Sequence, residues 1–378
     1  MSLRFIRSTC AVWALIAITA CERETAAPEE PETQPAERVE ALFSDELPGL
    51  TSPASGVAFW EHPTLSFNSL LIVANEDGVV SYTMENGTET GRIDGFSPQG
   101  AAVGYLGFGA QAAGFLTFFD AADSLFRFYG VDNATRNFLP LNDGPAIRGA
   151  VRGFCLGRAI TSEAPALFVV QNARVQIFNL AADLQGVRID GESAIETPDN
   201  IVSCAVDHEG VLLLGADDGK IYRVAGEDAF ATPFAEAAAG AAGEISIIST
   251  ASSESAASPG GLLLLLDTAD GALHVFSSED GGARGVVDLS GTSDMPDAEP
   301  ATAMGAVSAN LGGVYRDGAI AFSVDGDEGP VVRIAPVNSI FNALSLPVTG
   351  PLTPRGDNVV EEQDGLMIPA PEIGDQPE

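Results

Sequence analysis

The sequence predicts an all-β protein, a six-bladed β-propeller, from three observations. A short apolar run recurs six times, starting at residues 70, 115, 167, 211, 262 and 319, which is a repeat of about 50 residues. Each run is followed by a cluster of Asp, Asn, Ala or Gly residues and then by a second apolar segment, usually with an aromatic residue. The chain also has 41 Gly and 23 Pro, which favour turns, and shows no sustained helical period.

The elements of one repeat follow from local chemistry. The run from Leu70 is continuously apolar, as expected for a strand buried on both faces between blades. The turn N-E-D-G after it favours the positive φ angles of a tight hairpin, and V-V-S-Y forms the next strand. A segment rich in small residues precedes each run and suits the crowded strand nearest the propeller axis. We therefore expect inner strands at Gly56, Ala102, Gly153, Ile201, Ile245 and Met304.

Both ends of the chain differ from this repeat. Residues 1–20 are predicted to be a signal peptide, because two arginines precede an apolar stretch too short to span a bilayer. Residues 21–54 and 347–378 are acidic and rich in proline, so they are predicted to be a flexible spacer and a disordered tail. The propeller is expected to occupy residues 55–346.

The sequence I-T-A-C that ends at Cys21 resembles a bacterial lipobox, in which the cysteine is lipidated and becomes the new N-terminus. Acyl chains on Cys21 would hold the protein at a membrane face. Glu22 stands where an aspartate would resemble the inner-membrane retention signal, so the outer membrane, on its periplasmic or outer side, is the expected location. An ordinary signal peptide with a chance cysteine is the alternative.

The net charge of −35, from 18 basic and 53 acidic side chains, excludes nucleic acid as a plausible partner. Such a charge serves solubility, and calcium affinity is the alternative. The turn D-G-D-E-G supplies Asp325 and Asp327 as weak candidate calcium ligands, although position twelve of an EF-hand loop would be Pro336. Cys155 and Cys204 occupy equivalent places on neighbouring inner strands. We expect them to be two unpaired buried thiols, since adjacent strands of a six-fold ring should lie beyond the reach of a disulfide, and a disulfide is the alternative.

Across residues 55 to about 340 the chain resembles the β-propeller phytases, secreted proteins of the 3-phytase type that hydrolyse phytate with calcium in a central acidic channel. The resemblance is carried by G-V-A-F-W-E-H-P, L-F-R-F-Y-G-V-D, R-G-F-C-L, C-A-V-D-H-E-G-V-L-L-L-G-A-D-D-G-K-I-Y-R-V and A-F-S-V-D-G. It implies shared blade order and ancestry.

The positions of that family's acidic ligands are substituted in this chain. Those positions hold Ser55, Gly56, Ala150, Val202, Ala216, Ile245, Thr302 and Gly305, and Glu244 lies one residue from an expected ligand position. Lysines that would hold phosphate are replaced by Glu76 and Asp77. Because calcium requires several oxygen ligands, we predict a degenerate site with no catalytic residues.

Three hypotheses about function remain. The favoured one is a monomeric, non-catalytic propeller that binds an envelope protein or a glycan through its blade loops or channel mouth. The second is an active phytase or related phosphatase, acting on phytate through ligands at positions other than those named above. The third is a calcium-binding stabiliser of the cell envelope.

Overall fold

Strands dominate the computed structural model of the protein, and all eighteen predicted blade strands are present. The structure describes residues 38–47, 50–159, 161–183, 186–225, 229–237, 243–250, 261–291, 295, 301–326, 329–347 and 350–356. These residues belong to one unit of the chain, residues 36–378. The predicted signal peptide, the predicted lipidation site Cys21 and the candidate ligand Asp327 lie outside the described residues.

The strands form six sheets, and each sheet is one blade. Two strands come first in the chain, β1 (Arg38–Leu42) and β2 (Asp45–Leu47). Blade 1 contains β3 (Gly56–Trp60), β4 (Leu70–Asn75), β5 (Gly78–Thr83) and β6 (Glu89–Asp94). Blade 2 contains β7 (Pro98–Leu106), β8 (Ala113–Asp120), β9 (Leu125–Val131) and β10 (Phe138–Ala146). Blade 3 contains β11 (Gly153–Gly157), β12 (Ala166–Gln171), β13 (Arg174–Asp183) and β14 (Gly186–Glu196).

The second half of the ring repeats the same order. Blade 4 contains β15 (Ile201–Val206), β16 (Leu212–Ala216), β17 (Lys220–Arg223) and β18 (Ala235–Glu236). Blade 5 contains β19 (Ile245–Ser249), β20 (Gly261–Leu266), β21 (Leu273–Ser277) and β22 (Ala283–Ser290). Blade 6 contains β23 (Ala303–Val307), β24 (Ala319–Gly326) and β25 (Gly329–Pro336), followed by the helix α1 (Val337–Ala343). Short 3-10 turns lie at Ser66–Asn68 and Gly109–Gln111.

Consecutive strands of each blade pair antiparallel, from the inner strand outwards. The inner strands β3, β7, β11, β15, β19 and β23 contact one another in that order, and β23 contacts β3. The contacts therefore close a ring, and the predicted six-bladed propeller is confirmed.

The continuous apolar runs are explained by two interfaces per blade. In β4, Leu71 and Val73 pack in a cluster that includes Ala319 of blade 6. Leu70 and Ile72 point the other way, into a cluster with blade 2. Because successive side chains of a strand point to opposite faces, a strand between two blades must be apolar at every position. All residues from Leu70 to Ala74 are 0% exposed.

The two N-terminal strands join the sheets of blades 5 and 6. Residues 38–47, predicted to be part of a flexible spacer, therefore belong to the propeller. β2 pairs antiparallel with β25 as the fourth strand of blade 6, with Asp45 opposite Ile334. β1 pairs in parallel with β22 as a fifth strand of blade 5. The acidic composition of residues 21–54 concealed these strands, because edge strands need few apolar residues. Ala41, Phe43 and Leu47 supply the buried side chains of this segment.

Cys155 and Cys204 form a disulfide between β11 and β15, so the expectation of two unpaired thiols is wrong. Their Cα atoms are 5.7 Å apart, within the range that a disulfide bridges. The strands approach closely because glycines flank Cys155. A Cβ atom on Gly153 would lie 2.4 Å from the carbonyl oxygen of Val202, and one on Gly157 would lie 2.1 Å from Val206.

The described part of the tail predicted for residues 347–378 is packed against the propeller. Residues 350–356, hereafter the C-terminal segment, hydrogen-bond to the ends of several inner strands. The predicted disordered tail therefore does not begin at residue 347. No helix in the described ranges has the length and apolar character needed to cross a membrane.

Candidate functional site

The inner strands enclose a central channel with a cavity of about 240 Å³, to which all six blades contribute. Its wall consists mostly of small and apolar residues, including Ala58, Ala102, Gly104, Ala205, Ile247 and Ala306. Five lining residues of the described chain carry a titratable side chain: Tyr105, Arg158, Asp207, His208 and Glu244. Most side chains that line the channel are therefore uncharged.

The eight substituted ligand positions occupy different environments. Ile245 and Gly305 line the channel, and Gly56 and Val202 lie on inner strands. Ser55, Ala150 and Thr302 are exposed residues just before inner strands, and Ala216 is fully buried at the end of β16. None of these eight side chains carries a charge.

Two of these positions are closed by neighbouring backbone. A Cβ atom on Gly56 would lie 2.4 Å from the amide nitrogen of Ala101 in the next blade. A Cβ atom on Gly305 would lie 2.3 Å from the carbonyl oxygen of Val57. Real Cβ atoms do not approach other atoms so closely, so neither backbone accommodates a carboxylate side chain in its present position.

Glu244 directly precedes the predicted ligand position Ile245. It directly precedes β19, and its Oε2 atom accepts a hydrogen bond from the backbone N–H of Met304 at 2.7 Å. Burial raises the pKa of this carboxyl to about 7, and the hydrogen bond from Met304 opposes part of that effect. The channel therefore contains one carboxyl that exchanges its proton near neutral pH.

The C-terminal segment lies across one mouth of the channel, where β3, β11 and β19 end. The backbone N–H of Leu352 donates to the carbonyl oxygen of Ser249 at 3.0 Å, and Pro351 forms an isolated antiparallel bridge with Thr250. Leu352, Thr353 and Pro354 line the cavity. The segment therefore forms part of the channel wall at this mouth.

Arg355 anchors this segment in a pocket built by blades 1 and 2. Its side chain is 2% exposed. The guanidinium donates to the carbonyl oxygens of Glu61 at 2.5 and 2.9 Å and of Ala112 at 2.7 Å. It lies 4.5 Å from the ring centre of Tyr105 and 5.8 Å from that of Trp60. Carbonyl acceptors and aromatic faces are both favourable partners of a planar cation.

The Glu61 carboxylate adds to this pocket. Its Oε2 atom lies 4.0 Å from Nε of Arg355 and accepts a short hydrogen bond from the hydroxyl of Thr353. The backbone N–H of Glu61 donates to the hydroxyl of Tyr105 at 2.7 Å, which fixes the ring. Burial raises the pKa of that hydroxyl, so Tyr105 stays neutral. The hydrogen bond between Glu61 and Tyr105 joins blades 1 and 2 without the C-terminal segment.

Arg158 holds the other side of the segment. Its guanidinium donates to the carbonyl oxygen of Pro354 at 3.1 and 3.3 Å, and through short hydrogen bonds to those of Arg355 and Ser162. It also lies over the ring of Phe108. Burial lowers the pKa of Arg158, which reflects the cost of placing this cation away from water. Main-chain carbonyls of the C-terminal segment thus help to stabilise a desolvated charge.

The remaining candidate ligands are not brought together. Asp325 is exposed at the end of β24. Glu76 and Asp77 are exposed in the turn between β4 and β5. Within the described ranges, no three His, Cys, Asp or Glu side chains are grouped as metal ligands would be.

The sequence did not predict the pocket at the channel mouth. Its residues come from three distant stretches of the chain, around Glu61, Tyr105 and Arg355, and only the folded ring brings them together. One signal was present, because Arg355 is the single basic residue between residue 334 and the end of the chain. An isolated arginine in an acidic segment is a candidate for a specific partner.

The assignment of the fold rests on the strand pairing described above, and comparisons with known proteins add no argument to it. No model of a protein family matches the chain, and no curated protein matches it. Among solved structures, Kluyveromyces lactis Hsv2 is similar at 13% identity, with a TM-score of 0.38 over 73% of this chain and 72% of that chain. A form of KlHsv2 with loop 6CD replaced by a Gly-Ser linker matches at 12% identity and a TM-score of 0.38, over 73% of this chain and 75% of that chain.

Proposed function

We propose that the protein is an exported propeller, anchored to the outer membrane through Cys21, that binds a partner and does not release phosphate. The observation that carries the non-catalytic part is the close backbone contact at Gly56 and Gly305. At these two positions the resemblance to the β-propeller phytases would require carboxylate ligands. The neighbouring blade occupies the space in which those side chains would begin, so the ligand geometry of that family does not fit.

The charge of the site supports the same proposal. Phytate is a polyanion, and its hydrolysis requires cations that offset the phosphate charge. The positions expected to hold lysines carry the exposed side chains of Glu76 and Asp77. These carboxylates repel phosphate. Glu244 cannot replace a calcium cage, since calcium takes six to eight oxygen ligands.

The proposed export is supported by the disulfide between Cys155 and Cys204. Disulfides persist in oxidising compartments such as the bacterial periplasm and are rare in the cytosol. The two arginines and the short apolar stretch within residues 1–20 also support export. The lipobox-like ending at Cys21 adds the anchor to this proposal, and an envelope protein or a glycan is the expected class of partner.

Phosphate release from phytate by the purified full-length protein, with and without millimolar calcium, tests the catalytic part. We expect no release above the buffer level and a calcium-induced rise in melting temperature below roughly 2 °C. Calcium-dependent release would establish an active phytase and refute the proposal. A larger rise in melting temperature without release would favour a calcium-binding stabiliser instead.

Membrane fractionation tests the anchor. We expect the wild-type protein in the membrane fraction and the Cys21→Ser variant in the soluble fraction. Cys10→Ser, within the predicted signal peptide, is the matched control and should leave the partition unchanged. Wild-type protein in the soluble fraction would contradict lipidation at Cys21.

A further inference from the structure

We propose that the channel mouth is a binding site for a peptide that carries an arginine within a turn, and that the C-terminal segment occupies this site in cis. The inference rests on the proposed binding role and names the class of partner for it. The ligand class follows from the contacts of residues 350–356, whose main chain and one arginine side chain are both recognised.

The side-chain part of the site binds a guanidinium group. The acceptors for Arg355 are main-chain carbonyls of Glu61 and Ala112, and the faces of Tyr105 and Trp60 cover the cation. These groups lie on the propeller body, in blades 1 and 2. A lysine has a compact charge that cannot span both carbonyls in the plane of the guanidinium, so arginine is the preferred residue.

The main-chain part of the site binds a backbone that turns at Pro354 and Arg355, where the N–H of Gly356 donates to the carbonyl oxygen of Thr353 at 3.0 Å. The carbonyl oxygen of Ser249 accepts from the N–H of Leu352, and the N–H of Gly109 donates to the carbonyl oxygens of Arg355 and Gly356 at 3.2 and 3.1 Å. Arg158 donates to the carbonyl oxygens of Pro354 and Arg355. Backbone pairing at the end of a strand combined with one side-chain pocket is a recurring mode of peptide recognition.

The covalent connection between the C-terminal segment and the propeller favours occupation of the site by this segment. A tethered segment has an effective concentration of about 1 mM or more for its own site, which a free peptide must exceed. Without the segment, Arg158 would lose the carbonyl oxygens of Pro354 and Arg355, and the carbonyls of Glu61 and Ala112 would lose a cation. A partner peptide with arginine restores both sets of contacts, whereas a partner without it restores one.

The experiment uses a fluorescent peptide with the sequence of residues 350–357, G-P-L-T-P-R-G-D, and fluorescence polarisation. The full-length Arg355→Ala variant should bind this peptide at least tenfold more tightly than the wild-type protein, because its own segment no longer fills the arginine pocket. A peptide with lysine in place of the arginine should bind the variant at least tenfold more weakly. Arg316→Ala, which removes an exposed arginine, is the control and should behave as wild type.

Failure of the peptide to bind folded Arg355→Ala protein would overturn the inference, as would equal binding of the lysine peptide. If the variant does not fold, hydrogen exchange of the wild-type protein decides. The amide of Leu352 should exchange at least a hundredfold faster than that of Leu264 in β20, because the segment can leave without unfolding of the blades. Equal protection of both amides would show that the segment is an integral part of the fold and would refute the proposal. The outcome is independent of phosphate release, so loss of the proposed non-catalytic role and loss of this site are distinguishable.

Discussion

Replacement of Glu244 by glutamine should stabilise the protein at alkaline pH and have little effect at acid pH. The carboxyl pKa rises from its ordinary value of 4.5 to about 7 in the folded protein, because burial disfavours the charged form. The folded state therefore retains the proton while the unfolded chain has lost it. Stability falls as the pH rises from about 4.5 to about 7, and the full penalty applies above that range.

The magnitude follows from this difference in proton affinity. A tenfold change in affinity corresponds to about 1.4 kcal/mol, so the ionised Glu244 costs about 3 kcal/mol of folding free energy. For a domain of roughly 300 residues this corresponds to a melting temperature difference of roughly 5 °C. Glutamine removes the charge and retains an oxygen that accepts from the N–H of Met304.

Thermal unfolding of wild type and Glu244→Gln at pH 5 and pH 8, followed by circular dichroism, measures this difference. The variant should melt several degrees higher at pH 8 and within about 2 °C of wild type at pH 5. Glu85→Gln changes an exposed carboxylate in a turn and is the matched control. A variant that is equally stable or less stable than wild type at pH 8 would refute the assignment of Glu244 as a desolvated carboxyl.

Two further predictions concern the ring itself. Replacing both Cys155 and Cys204 by serine should lower the unfolding free energy by roughly 4 kcal/mol, because the disulfide closes a loop between residues 49 positions apart. Dithiothreitol should lower the melting temperature of wild type and leave that of the double variant unchanged. Gly305→Ala should cost about 2 kcal/mol or more, since its Cβ would lie 2.3 Å from the carbonyl oxygen of Val57, and urea unfolding beside Gly130→Ala checks it. An unchanged midpoint for Gly305→Ala would mean that β23 and β3 are not in backbone contact. Gly130 also lies on a strand, but its Cβ would be 3.6 Å from Leu141, an ordinary contact, so its alanine variant should lose less than about 1 kcal/mol.

The inner three strands of each blade were predictable because their signals are local. The run from Leu70 and the turn at Asp77 lie within a few residues of each other, and each strand pairs with the next one in the chain. The outer strand of blade 6 was not predictable in this way. β2 pairs with β25, almost 290 residues later, and its sequence contains two acids in three residues.

The candidate site likewise has parts that could be predicted from the sequence and parts that could not. The absence of a carboxylate at Val202 and Ile245 was visible in the sequence, since both residues are apolar wherever they lie. The distance between Cys155 and Cys204 was not visible, because it depends on the backbone contact at Gly153, which brings two blades closer than an evenly spaced ring would. The pocket of Arg355 depends on three loops that meet only after ring closure.

The pairing of β2 with β25 also sets an order of events in biosynthesis. β2 is among the first strands to leave the ribosome, and its partner is made almost 290 residues later. At synthesis rates of about 5–20 residues per second, β2 waits roughly 15–60 s with an unpaired edge before β25 emerges. The blades between them can form their own hairpins in that time, but the circle cannot be completed. The nascent chain therefore stays an open series of blades until its last blade is made.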